Sequence, residues 1–201
     1  MKRILIAGVL AAMLGLTACS GTAQQSSGAE IEETSSKESR SEGLTIHADE
    51  DVDSSYIETL KTYFTAIEKK DFAAFQSAMY PPYLESYNKY LNDNGTTPEE
   101  NFEKLCTRFD EDGYESWTLT DLHISYYPEE KVDLDDFFSA FKDAGILDDK
   151  LIEQCKKESE EIRDVQFSLY ALYAGDEDAV PVVNGNEIMM VKTKDGTYLF
   201  G

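Results

Sequence analysis

From Ser20 to about Asp53 the chain is built mainly from Ser, Gly, Thr, Gln and Glu, with almost no large apolar residue before Leu44. A stretch of that composition cannot bury enough apolar surface to offset the entropy lost on ordering it. It divides the chain into an apolar N-terminal segment, 1–18, a disordered acidic tether, 19–53, and a folded domain, 54–201. The last part has the length of one ordinary domain with its own core, and it shows no internal repeat. As a flexible coil the tether spans roughly 30 Å. Its Asp49-Glu50-Asp51-Val52-Asp53 imitates the start of a calcium loop. Ser54 stands where that loop needs glycine and Leu60 where it needs its closing Glu, so a calcium loop is excluded.

The first segment opens Met1-Lys2-Arg3 and runs apolar from Ile4 to Ala18. A charged start and a short apolar middle read as a secretory signal, and the run is shorter than the ~20 residues that span a bilayer. It ends Leu16-Thr17-Ala18-Cys19, which resembles the lipobox of bacterial lipoproteins. That resemblance implies cleavage before Cys19, diacylglycerol on its thiol, and a mature protein held at the extracytoplasmic face of the bacterial cell membrane. Two acyl chains on Cys19 are enough for stable anchoring.

The formal net charge is −22. Cleavage removes Lys2 and Arg3 and no acidic residue, so the mature chain is more acidic still. That balance argues against nucleic acid as a partner, whose phosphates need Lys and Arg, and against a polybasic grip on anionic lipid. It favours a solvated acidic surface that keeps the domain soluble and clear of an anionic envelope. With Cys19 given to lipid, Cys106 and Cys155 remain. They permit one disulfide in an exported protein; equally they read as two buried thiols acting as small hydrophobes.

The first half of the domain reads as helical. Ser54 or Ser55 can cap a helix with Tyr56, Leu60, Tyr63, Phe64 and Ile67 on one face. Asp71 can cap a second with Phe72, Phe75 and Met79 inward, and Pro81-Pro82 breaks the chain before a short helix over Tyr83 to Leu91. Thr97-Pro98-Glu99-Glu100 combines a cap, a proline at the first helical position and a Glu three residues on. In the second half, Tyr114 to Tyr127 reads as a strand whose alternation breaks between Leu119 and Leu122, the mark of a bulge. Leu134 to about Glu160 is helical with an interruption at Gly145. Val165, Phe167, Leu169, Ala171 and Tyr173 alternate as a half-buried strand. Asn184-Gly185 and Lys194-Asp195-Gly196 read as turns bounding the last strands.

This order predicts an α+β domain with N-terminal helices packed on a curved antiparallel sheet. The Tyr56–Asp71 helix with Tyr63-Phe64-Thr65-Ala66-Ile67, and the closing hairpin Glu187–Phe200, resemble the nuclear transport factor 2-like (cystatin-like) superfamily. In that fold a sheet wraps an amphipathic helix into a cone, and some of its enzymes place Asp and His in the mouth of the cone. Asp121 and His123, on one parity of a strand, are the residues here that match the pattern; acid–base work would need Asp121 to orient His123. Their alternative is a solvent-facing polar pair. Tyr83, Tyr87 and Tyr90, with Tyr80 beside the prolines, recur at helical spacing. They offer a ligand surface for a protein, peptide or glycan, or a packed helix face.

No phosphate loop, nucleophile elbow or histidine-bearing metal motif is present, and neither a cofactor nor a metal is expected. The sequence therefore predicts a lipid-anchored cell-surface binding or accessory domain. The alternative is a small-molecule enzyme with a cone-shaped pocket using Asp121 and His123. A mainly structural envelope protein is a third option.

Overall fold

A computed structural model describes residues 36–40, 43–127 and 134–200. The signal segment, Cys19 and the tether up to residue 35 lie outside the described residues. Among the described residues twelve elements follow in chain order: β1 (Ser36–Arg40), β2 (Thr45–Asp49), α1 (Ser54–Lys69), α2 (Phe72–Ser77), α3 (Pro81–Asp93), α4 (Pro98–Cys106), β3 (Trp117–Tyr126), α5 (Leu134–Asp143), α6 (Asp149–Glu158), β4 (Ser159–Tyr173), β5 (Val180–Thr193) and β6 (Gly196–Phe200). The architecture is α+β. The six strands form one sheet in the order β1-β2-β3-β4-β5-β6. It is antiparallel throughout except where β2 runs parallel to β3.

The helices begin where local chemistry dictates. Asp53, rather than Ser54 or Ser55, caps α1, its carboxylate accepting from the Ser55 amide at 2.8 Å. Asp71 caps α2, and Thr97 and Glu100 form a reciprocal capping box on α4. Pro81 and Pro82 start α3 instead of merely breaking the chain, because a proline at the first helical positions gives up only amides that have no intrahelical partner. Lys70 ends α1 at φ 55°, its amide bonding back to Ala66 and Ile67.

Helix α1 buries Tyr56, Leu60, Tyr63, Phe64 and Ile67. It packs on β2, β3 and β6, and Phe64 meets Phe167 of β4 at 5.1 Å. β3 and β6 stand three places apart in the sheet, roughly 14 Å if flat, a span that α1, roughly 24 Å long, covers by lying across the strands. The face of the sheet turned toward the core is filled by Leu119, Leu122, Ile124, Val165, Phe167, Leu169 and Ala171. The edge at β6 is closed by hydrogen bonds of 2.8 Å from Tyr80 to Leu199 and from Leu199 to Ala78, which leaves no open template for another strand there.

The expected disordered tether does not reach residue 53. Leu44, Ile46, Ala48 and Val52 are 1–2% exposed, and β2 joins the sheet at β3. Their period-2 alternation puts apolar side chains inward and Thr45, His47 and Asp49 outward. The folded unit therefore begins before Ser54. The bulge in β3 falls between Leu119 and Asp121, inside the predicted interval. Asn184-Gly185 does not reverse the chain. It forms a bulge inside β5, where the register with β4 slips between Phe167 and Leu169, and Gly185 takes a φ of 63° that favours glycine.

Candidate functional site

Asp121 and His123 lie on the outer face of the sheet. Leu119, Leu122 and Ile124 of the same strand are buried, and His123 is exposed. This parity matches the solvent-facing polar pair and not the alternative placement in the mouth of a cone: the bulge between Leu119 and Asp121 sets which residues of β3 point outward. Nor are the two residues partners of one another. Asp121 Oδ1 bonds His47 Nε2 at 2.9 Å, and the His47 ring stacks on His123 with centroids 4.5 Å apart. Register explains the arrangement, because His47 of β2 stands directly beside His123 of β3. Tyr170 of β4 completes the group, its ring 5.3 Å from His123.

The electrostatics follow from that neighbourhood. Burial pushes the Asp121 carboxyl up, but the hydrogen bond with His47 and the neighbouring imidazoles of His47 and His123 hold the group below its usual value. Partial burial, then the neighbouring His47, push His123 below 6.5 against the pull of Asp121. An open depression beside the group is lined by His47, His123, Ser125, Gln166 and Ser168. Among the described residues no group of three or more His, Cys, Asp and Glu is placed to hold a metal ion.

The tyrosine stripe is not a ligand surface. Tyr83 and Tyr87 are 0% and 5% exposed, and Tyr90 is partly buried against the core. Tyr83 stacks on Tyr87 at 5.7 Å and lies 4.7 Å from the Phe200 ring. The side of α3 that carries the stripe is the side that faces the rest of the protein. Burial raises the Tyr83 hydroxyl well above its usual range.

Cys106 and Cys155 are free and buried, so the disulfide is not formed. They sit in different neighbourhoods. Cys106 ends α4 beside Lys70 and Phe72. Cys155 faces Ser159 at the junction of α6 and β4, where burial pushes its thiol up to about 11.

A second group, not anticipated from the sequence, lies where β3 begins and β4 ends. Two open compartments, of about 440 and about 380 Å³, share Lys70 and Cys106. Phe72 and Phe102 line the first, their rings 5.3 Å apart. Tyr114, Trp117 and Tyr173 line the second, with Tyr114 against Tyr173 at 4.7 Å. Trp117 Nε1 donates to Asp110 at 2.8 Å, and its ring meets Phe109 edge-on at 5.4 Å. Glu68 accepts from the Leu119 amide at 2.9 Å. The sequence signal for this groove was the cluster Asp110 to Trp117, which mixes acids and aromatics in the loop before a strand.

No described helix is long and apolar enough to cross a membrane. Comparison with known proteins finds no match: no protein-family model, curated protein or solved structure is similar to the chain.

Proposed function

We propose that the mature protein is a lipid-anchored binding or accessory domain, tethered through Cys19 to the extracytoplasmic face of a bacterial membrane, and that it acts through its surface. The observation that carries the reading is the filled interior of the sheet. Phe64, Leu119, Leu122, Phe167 and Leu169 occupy the space where a cone-shaped enzyme would hold its substrate. Asp121 and His123, the pair an enzyme would use, face away from that space. The helix packed across one face of the sheet supports the nuclear transport factor 2-like resemblance, although the parallel β2 departs from an all-antiparallel sheet.

The anchor is tested by mass spectrometry of the membrane fraction. The expected mature N-terminus is Cys19 carrying diacylglycerol, and Cys19→Ala abolishes both the modification and the cleavage before it. Unmodified Cys19 on a mature, membrane-bound protein overturns the anchor. The non-catalytic reading is tested with His123→Ala, which is expected to leave any cellular phenotype intact. Loss of that phenotype in a folded, abundant variant would favour the enzyme.

A further inference from the structure

The surface groove between α4 and the start of β3 combines two features that seldom meet without a use. Glu99 and Glu103 line one compartment, and Glu68, Asp110, Glu111 and Glu115 the other. Among the described residues lining either compartment, Lys70 is the only base. The acids stand beside aromatic rings. Tyr114 is 39% exposed, one of two large apolar side chains so exposed among the described residues. Trp117 is half-buried in the same compartment, and Phe72 is half-buried in the adjoining one.

Carboxylates alone on an acidic protein mark a solvated face. Carboxylates beside accessible aromatic faces suit one chemistry in particular. A guanidinium or ammonium is attracted by the ring and donates its hydrogen bonds to the acid. The internal hydrogen bonds leave capacity for this. Glu68 uses Oε1 toward Leu119 and Asp110 uses Oδ1 toward Trp117, while each carboxylate offers about four lone-pair positions. Hard divalent cations fit poorly, because they need convergent oxygen ligands and no such set exists among the described residues. Acids distributed along two adjoining compartments match charges spaced along a chain.

We propose that this groove docks a basic polypeptide segment, with arginine or lysine side chains held between the Tyr114 and Trp117 rings and the flanking carboxylates. The proposal rests on the binding-domain reading above and names the chemistry of its partner.

Trp117 is the only tryptophan of the chain and lines the groove, so its fluorescence reports occupancy directly. The test titrates the purified full chain, in non-ionic detergent at 150 mM salt, with acetylated tetra-arginine amide. A saturable one-site change is expected. Glu111→Gln with Glu115→Gln is expected to weaken it at least about tenfold, since charge-assisted bonds are lost. Tyr114→Ala weakens it as well, and Lys70→Gln, which removes a competing cation, tightens it. A charge-matched control, Glu85→Gln with Glu153→Gln on the exposed surfaces of α3 and α6, is expected to change affinity less than about twofold by screening. The proposal is overturned by an absence of saturable change, or by equal weakening in the control, which would mean diffuse attraction to an acidic protein. It is also overturned if arginine amide alone saturates the site as tightly as the tetrapeptide. Circular dichroism of each variant separates lost binding from lost fold. Failure of the titration would remove the partner and leave lipidation of Cys19 standing, because that is read independently by mass.

Discussion

Asp53 ties three parts of the molecule together with one carboxylate. Oδ1 caps α1 at the Ser55 amide, and Oδ2 takes the Lys192 ammonium of β5 at 2.6 Å. Its own amide donates to the Tyr126 hydroxyl of β3 at 3.0 Å. The Lys192 bond first, and then the Ser55 amide, hold its carboxyl down at about 2. A carboxyl lowered from 3.8 in the folded state adds stability above that pH and loses it as the pH falls through about 2. Asp53→Ala is expected to cost about 0.5–2 kcal/mol at pH 7, the range for a lost cap, measured by urea denaturation. His123 has a dependence of the same sign in a higher pH window. A histidine pushed below 6.5 in the folded state takes up its proton more readily when unfolded, so stability falls as the pH drops below 6.5. The thermal midpoint of the wild type should therefore fall between pH 7.5 and 5.5 by more than that of His123→Asn. Parallel loss in both would assign the effect elsewhere.

At the scale of elements, β2 decides where the protein begins. It supplies Ile46 and Ala48 to the core, and the flanking Leu44 and Val52 join them. A chain starting at Ser54 would lose all four and uncover Leu122 and Ile124. Burying one Leu or Ile is worth about 1.5–3 kcal/mol, so the truncation should cost on the order of 5 kcal/mol. Its thermal midpoint is expected more than about 10 °C below that of a chain starting at Ser36. Equal midpoints would return residues 36–53 to the tether. The same strand shows where sequence reasoning stopped. Caps at Asp71 and Thr97, the inward face of α1, the β3 bulge and the alternation of β4 were all legible, because each is written within a few neighbouring residues. β2 is five residues long, set in polar surroundings, and pairs in parallel with a strand more than 70 positions away. Nothing local announces that partner. His47 was therefore assigned to the tether, and the group it forms with Asp121 and His123 was invisible. The tyrosines were left with two readings for a related reason. Their spacing identifies a helix face, but whether that face meets water or Phe200 depends on the last strand of the chain.

For the molecule as a whole, the core is one connected cluster. It runs from Leu44 and Ile46 through Phe64 and Phe167 to Phe138, Phe141 and Phe200. A continuous core in a domain of this size predicts one cooperative transition, even though helices and strands alternate along the chain. Phe64 is the place to test it. It is 3% exposed, on the helix that packs against the sheet, and it touches both Tyr63 and Phe167. Phe64→Ala should cost about 3–5 kcal/mol, a large share of the ~5–15 kcal/mol that holds a typical domain together. Two probes separate a global loss from a local one. Trp117 lies at the groove where β3 begins, while far-UV circular dichroism averages over all helices and strands. In wild type and in Phe64→Ala the two signals are expected to follow the same urea curve, shifted to lower midpoint in the variant with unchanged slope. If Trp117 instead reported an earlier transition, the groove would be an independently unfolding unit, and the cluster that joins it to the sheet would not be acting as one core.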